Sequence, residues 1–312
     1  MSNPWRSDMD PGQKYVRRHN NLETLIQLAI SGLAMGLIYC LVAIEFTLIL
    51  NTSGLMNFGH DKYIMFGAFL FGGTFVIRLG WDFLPSAVAS VLLMGVVGIF
   101  IAVIVFSPLQ KLPRVYAMTG TMALSMILQE ATRLTYGARS FTVLGFLSGT
   151  INFGFVSIQR VYLFIIIVTT ILLIFQNLLM MKTKLGRSFR AVAQDKETSS
   201  LMGINVNTML IASATMSLLI CGIIGVLIIP VTGITLGMSN MIGSKGYIAG
   251  VVGGMGSLNG AIIGGLVVGL TEALFLAFGG NPVYKDVVSF VLVVLFLLLK
   301  PDGILSEKKA AI

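Results

Sequence analysis

Charged residues are scarce in this chain of 312 residues: they make up 11% of it, whereas hydrophobic residues make up 56%. Soluble domains average about 25% charged residues. The composition therefore excludes an ordinary soluble protein and predicts a multi-pass membrane protein. The net charge of +8 does not indicate nucleic-acid binding, because the basic residues fall in short loops between apolar runs, where they set membrane topology.

Cysteine and histidine are also scarce, with two of each. Cys40 and Cys221 lie within apolar runs, which is typical of small core residues and not of a disulfide framework. His19 and His60 are far apart and lack metal-ligand spacing, so we predict no metal site. The chain has no G-x-x-x-x-G-K-[ST] phosphate loop and no recognisable Ser-His-acid order, so we predict neither an ATPase site nor catalytic residues.

Long apolar runs alternate with short polar segments over residues 22–305, which predicts a single all-α transmembrane domain. Residues 1–21 are polar and basic and contain no secretory signal, so we expect a cytoplasmic tail, as for residues 306–312. The glycine-rich run Tyr247–Phe278 fits one span or two limbs, and a cytoplasmic C-terminus favours two. With both termini in the cytoplasm, we expect eight or ten membrane crossings and favour eight. Some of the transmembrane helices are expected to be broken or re-entrant.

A polar break follows the first apolar run. Glu45 lies inside that run, where a carboxylate costs a few kcal/mol unless it faces the protein interior, is paired or is protonated. Gly54 and Gly59 then interrupt the pattern at membrane depth, where irregular backbone is tolerated when it is buried or lines a cavity. An ordinary turn between two spans is the alternative. We predict a substrate path lined by Glu45, Asn57, His60, Asp61 and Lys62.

Two of these charges invite a specific hypothesis. Opposite charges lower each other's cost in an apolar setting, so Glu45 and Lys62 are expected to approach each other, or Glu45 to meet a water of the path. The alternative places Lys62 at the lipid headgroups, where helix-end lysines extend, with Glu45 protonated.

Two loops are predicted to meet partners. The basic segment 182–207 should face the cytoplasm and contain a helix over Arg187–Met202 that ends at Gly203. Residues 132–159 form a long loop, external by parity, in which Arg133 and Arg139 either contact an acidic partner or belong to a solvated linker. Residues 233–246 are predicted to be a second external polar segment.

Three stretches carry a resemblance to one family. RAVAQDKETSSLMGIN, from Arg190 to Asn205, is similar to the cytoplasmic coupling loop of LivH-type branched-chain amino acid permeases, subunits of ATP-binding-cassette importers. The stretch from Gly32 to Leu70, with its Asn57-Phe58 and His60, resembles the signature of the same family, and so does the later G-G-x-G-S-x-x-G-A-x-x-G-G. The resemblance covers about residues 22–305. Glu45 stands where a glycine is usual, and Asp61-Lys62 replaces Gly-Glu.

This resemblance implies the permease fold and a coupling helix that docks on an ATPase through Arg187, Arg190, Asp195 and Gly203. It implies a second permease subunit (LivM-like, or a second copy), two cytoplasmic ATPase subunits that bind ATP and Mg, and an extracytoplasmic solute-binding protein. This chain would hold no cofactor and lie in a bacterial or archaeal cytoplasmic membrane. The cargo would be a branched-chain amino acid or a related solute, such as urea, a short amide or another amino acid. The alternative is a stand-alone secondary transporter or channel that uses its intramembrane charges.

Overall fold

The chain is almost entirely helical. Its structure, a computed structural model, describes residues 11–143, 147, 149–153 and 156–305. The helices are α1 (Pro11–Ser53), α2 (His60–Ala68), α3 (Phe83–Ile101), α4 (Ser107–Leu109), α5 (Arg114–Tyr136), α6 (Arg160–Lys182), α7 (Lys184–Gln194), α8 (Lys196–Leu201), α9 (Val206–Thr232), α10 (Asn240–Gly253), α11 (Leu258–Ala277) and α12 (Lys285–Leu299). Two π-helical segments, Phe69–Arg78 and Ala102–Phe106, continue α2 and α3, and a 3-10 turn, Pro282–Tyr284, precedes α12.

Six of the described helices are long and apolar enough to cross a membrane. These spans are Glu23–Ser53, Phe83–Leu109, Arg160–Lys182, Val206–Thr232, Leu258–Ala277 and Pro282–Leu299. The all-α multi-pass architecture is thereby confirmed. Helix α10, with 14 residues, is about 21 Å long at 1.5 Å per residue and falls short of the roughly 30 Å hydrocarbon layer. The predicted number of crossings stays a prediction.

Helices α1 and α11 form the centre of the domain, and glycines allow their backbones to touch. A Cβ atom placed on Gly269 would lie 2.4 Å from the Cα of Gly36 and 2.6 Å from the carbonyl oxygen of Gly32. Gly265 approaches the backbone of Cys40 equally closely. Membrane helices associate through such small residues, because lipid provides no hydrophobic force to hold them together. Gly32 and Gly36 are thus the residues at which α1 packs closely on α11.

Helix α1 runs parallel to α6. Near its start, Gln27 Nε2 donates to the carbonyl of Ser157, 2.8 Å away in the β-hairpin that precedes α6. At its end, the carbonyl of Ser53 meets Lys196 of the segment that follows α6. The start of α1 and the segment 182–207 therefore lie on opposite sides of the domain.

This packing does not fit the expected cytoplasmic location of the tail 1–21, of which residues 11–21 form the start of α1. The basic residues before the span predicted that the tail and segment 182–207 lie on the same side of the domain. The parallel packing of α1 on α6 instead places residues 11–21 on the side opposite segment 182–207. The rest of that tail, residues 1–10, and the predicted C-terminal tail, 306–312, lie outside the described residues.

The glycine-rich region forms two helices, as favoured from the sequence. Helix α10 ends at Gly253, and α11 begins at Leu258 with Ser257 as its cap, whose Oγ accepts the amide of Gly260 at 3.1 Å. Helix α10 begins earlier than expected, at Asn240, so residues 240–246 are helical and not a polar external loop.

The expected loop 132–159 has structure of its own. Helix α5 continues to Tyr136, and the strands β1 (Thr150–Phe153) and β2 (Val156–Gln159) pair antiparallel, with Thr150 opposite Gln159. The hairpin contacts α1 through Ser157, whose amide donates to Glu23 Oε1 at 3.2 Å. The sequence did not predict these strands.

Candidate functional site

Between α1 and α2 the chain is non-helical, and we call residues 54–59 the break. Gly54 has φ +74°, a left-handed conformation that glycine adopts at no steric cost. Just before it, Thr52 Oγ1 lies 2.7 Å from Ser213 Oγ of α9. On the other side, the amide of Phe58 donates to Thr121 Oγ1 of α5 at 3.4 Å. Polar side chains of two neighbouring helices thus hold the irregular backbone.

Asn57 and His60 are part of this support. Asn57 Oδ1 accepts the amide of Gly59 at 3.0 Å. Both ring nitrogens of His60 are engaged, Nδ1 with the carbonyl of Asn57 at 3.0 Å and Nε2 with Ser217 Oγ at 3.2 Å. The ring of His60 stacks on Phe46 at 4.2 Å between centroids. Both residues are buried and shape the break. The ring of His60 is bonded at both nitrogens, whereas Nδ2 of Asn57 has no hydrogen-bond partner among the described residues.

Glu45 is fully buried in α1 and meets a partner other than the expected one. Gln176 Nε2 of α6 donates to Glu45 Oε1 at 2.7 Å. Lys62 instead lies beside Asp61 and Asn240. The hypothesised ion pair between Glu45 and Lys62 is therefore wrong, because the carboxylate faces α6 whereas the lysine faces α10.

Asp61 and Lys62 occupy the first turn of α2. Lys62 Nζ lies 3.1 Å from Asp61 Oδ2 and donates to Asn240 Oδ1 at 2.6 Å. Lys62 is buried, so it does not extend to the surface of the domain as the alternative required. Helix α10 comes so close that a Cβ atom on Gly243 would lie 2.7 Å from the Cβ of Asp61.

A groove of about 460 Å³ opens beside Asp61, between α1, α2, α10 and α12. Asp61 is the charged residue of its lining, and its side chain is 20% exposed. Polar and aromatic side chains surround it: Asn240, Ser244, Phe46, Phe58, Tyr247 and Phe290. Ligand pockets for small molecules span about 300–1,000 Å³ and combine apolar walls with a few polar groups. The groove has that size and that composition.

A buried ion network that the sequence did not predict lies on the far side of α10. Lys245 Nζ is 2.7 Å from Glu272 Oε1 and 2.6 Å from Asp286 Oδ1, and its side chain is 3% exposed. Ser289 Oγ donates to Glu272, and Tyr39 OH lies 3.4 Å from Glu272 Oε2. The network joins α1, α10, α11 and α12. A lysine directly after a serine in a polar stretch, as at Ser244-Lys245, gives no signal of this kind.

The segment 182–207, the coupling segment, contains two helices where one was expected. Thr183 caps α7, its Oγ1 accepting the amide of Gly186 at 3.1 Å. Asp195 then interrupts the helix and caps α8, because its Oδ1 accepts the amides of Glu197 and Thr198 at 2.8 and 3.1 Å. Hydrogen bonds from Thr198 also lower the pKa of Asp195.

The predicted end at Gly203 is confirmed. Gly203 has φ +84°, its amide donates to Ser200, and the amide of Ile204 donates to Ser199. This pair of bonds closes the end of a helix when glycine follows it in the left-handed region.

The exposed side of the coupling segment combines basic and apolar side chains. Arg187 and Arg190 point to solvent, and Arg190 Nη1 lies 2.9 Å from Met181 Sδ. Leu201 and Met202 are 88% and 79% exposed, although both are large and apolar. The signal in the sequence that could have predicted this surface is a Leu-Met pair just before a helix-ending glycine.

Arg133 and Arg139 lie on the hairpin side of the domain. Arg133 forms an exposed ion pair with Glu130, one turn earlier in α5, at 2.6 Å. Arg139 is exposed, beyond the end of that helix. The structure therefore leaves Arg139 more open to an acidic partner than Arg133.

Comparisons with known proteins assign the family. Residues 28–297 match the family model described as the permease component of the branched-chain amino acid transport system. The chain is similar to the high-affinity branched-chain amino acid transport system permease protein BraD of Pseudomonas aeruginosa. The two are 31% identical over 90% of this chain and 96% of BraD. LivH of Escherichia coli is also 31% identical, over 90% of this chain and 96% of its own length. A probable LivH of Methanocaldococcus jannaschii is 29% identical over 85% of this chain and 87% of its own length.

These matches confirm the resemblance seen in the sequence, and they cover the break, the groove and the coupling segment alike. The protein is thus a transport subunit and not an enzyme. The chain belongs to the family of permease components of branched-chain amino acid transport systems.

Proposed function

We propose that this chain is the membrane-spanning subunit of an ATP-driven importer of the cytoplasmic membrane, and that its cargo passes along the groove beside Asp61. The observation that carries the proposal is the composition of this groove, with one carboxylate among aromatic side chains. A branched-chain amino acid has an ammonium group for Asp61 and an apolar side chain for Phe46, Phe58 and Tyr247. The relatives BraD and LivH are named for the same cargo class.

A stand-alone transporter is the competing function. It would use Glu45, Asp61 and Lys62 as coupling charges. Glu45, however, faces Gln176 in the interior, and Asp61 and Lys62 are paired with each other, with Lys62 also bonded to Asn240. Of these three charges, only Asp61 lines the groove.

The partners belong to the same proposal. One of two ATPase subunits, which bind ATP and Mg, docks on Leu201, Met202, Arg187 and Arg190, because interface centres favour exposed apolar residues and arginine. A second permease subunit closes the groove. A solute-binding protein docks on the hairpin side, where Arg139 is available to its acidic residues.

Reconstitution into vesicles tests the function. The complete transporter should take up labelled leucine only when ATP is supplied. Asp61→Asn should raise the KM for leucine about tenfold or more, since hydrogen bonds to charged groups contribute about 1.5–3 kcal/mol. Asp82→Asn is the control, because Asp82 is an exposed carboxylate away from the groove. Uptake driven by an ion gradient without ATP would overturn the proposal in favour of the stand-alone transporter.

A further inference from the structure

The coupling segment touches the break directly. Lys196, the first residue of α8, donates from Nζ to the carbonyl oxygen of Ser53 at 2.5 Å. Ser53 is the last residue of α1, and the final carbonyls of a helix have no partner within it and carry its negative partial charge. The ammonium group of Lys196 therefore meets both a free acceptor and a favourable electrostatic potential.

This contact is held from both sides. Asp195 caps α8 and so fixes the backbone from which Lys196 extends. At the other end, Gly54 offers no side chain, and a Cβ atom there would lie 3.3 Å from Lys196 Nζ. Lys196 is half-buried, and this burial, together with the nearby charge of Arg114, lowers its pKa. A lysine kept in such a position makes a specific contact and is not merely part of a solvated basic loop.

The break leads from this contact to the groove. Six residues separate Ser53 from His60, and Asp61 follows on the first turn of α2. Thr121 of α5 contacts the break at Phe58, and α5 begins at Arg114, whose charge acts on Lys196. A displacement of α8 is therefore passed to a short, irregular segment that is anchored on α5 and ends at the groove.

We propose that Lys196 is a positioning residue that links the movement of the coupling segment to the break and, through it, to the Asp61 groove. The inference rests on the proposed function, since it assumes that the ATPase subunits move the coupling segment. It adds a specific contact inside the permease: without Lys196, α7 and α8 still dock and move, but α1 and α2 no longer follow.

The test compares ATP hydrolysis with uptake in vesicles that contain the complete transporter. Lys196→Met keeps the length of the side chain and removes its donor. We expect ATP hydrolysis within twofold of wild type and a ratio of leucine imported to ATP hydrolysed at least about fivefold lower, the lower end of typical coupling between sites. Lys196→Arg keeps a charged donor and should restore most of that ratio.

The control is Lys184→Met, which removes an exposed lysine at the start of α7. It should leave the ratio unchanged. If Lys196→Met lowers the yield of assembled transporter, Lys196→Gln, with a shorter and neutral donor, should show an intermediate ratio. A wild-type ratio in Lys196→Met, or an equal loss in Lys184→Met, overturns the inference. The proposed function fails if uptake by the wild-type transporter does not require ATP. The Lys196 and Lys184 variants are compared only after that requirement has been shown, so the two failures can be distinguished.

Discussion

Replacing Lys245 with methionine is expected to destabilise the folded chain by about 3 kcal/mol. Lys245 lies within 2.7 Å of two carboxylates, and the breaking of a buried ion pair costs about 3–5 kcal/mol because the remaining charge has no compensation. We expect the lower end of this range because the carboxylate of Asp286, whose side chain is 33% exposed, can be hydrated once the lysine is removed. Glu272 is 5% exposed and does not.

A second variant separates the ion pair from simple packing. In Lys245→Met combined with Glu272→Gln, no buried carboxylate is left uncompensated, so more than half of the lost stability should return. The assay is equilibrium unfolding in detergent, followed by circular dichroism. Lys285→Met is the matched control: its ammonium is 3.8 Å from Glu272 and 33% exposed, so its loss should cost less than about 1 kcal/mol. An additive double variant, or equal effects at Lys245 and Lys285, would refute the reasoning.

Three further predictions follow. Gly269→Ala should prevent folding in the membrane, since the added Cβ would meet the backbone of α1 at 2.4 Å. Gly250→Ala should be tolerated, because its Cβ would meet only Met255, at 3.6 Å. The yield of folded protein measures both effects. Neutralising Arg133 and Arg139 together should weaken stimulation of ATP hydrolysis by the binding protein, most at low salt where charges are least screened, and stimulation unchanged at every ionic strength would favour the linker. Because the folded pKa of Asp195 is lowered, its cap is complete above the unfolded pKa and is lost as the pH falls through the folded value. The protection of the α8 amides from exchange, taken relative to the intrinsic rate at each pH, should therefore fall in acid for wild type and not for Asp195→Asn, whose amide oxygen caps at every pH.

Local signals in the sequence predicted local structure well. Gly203 ends its helix and Gly54 lies in the break, as expected, because glycine adopts the left-handed backbone conformation at no steric cost whatever surrounds it. The partners of buried charges could not be predicted. Glu45 finds Gln176, which is 131 positions away, and Lys245 finds Glu272 and Asp286. Such pairings depend on how helices are arranged, and hydropathy carries no information about that arrangement.

The site was predicted in the same uneven way. The break and Asp61 stood out because charge and glycine interrupt an apolar run. Asn57 and His60 carried the same signal, but both bond to the backbone of the break: Asn57 Oδ1 accepts the amide of Gly59, and His60 Nδ1 meets the carbonyl of Asn57. The parallel packing of α1 and α6 could not be predicted from the sequence. Counting basic residues gives the average tendency of short loops to lie in the cytoplasm, but it says nothing about which helices contact each other.

The glycine contact between α1 and α11 has a consequence for how the protein is made. Helix α1 is synthesised long before its partner α11, whose Gly265 and Gly269 lie more than 200 residues later in the chain. Contacts so distant in sequence form late, because the ends of a long loop must first be brought together. Until α11 is inserted, the small-residue face of α1 has no matching surface, and a chain interrupted before residue 258 lacks the centre of its own fold. We therefore expect nascent chains to depend on the completion of synthesis, with quality control acting on those that stop early.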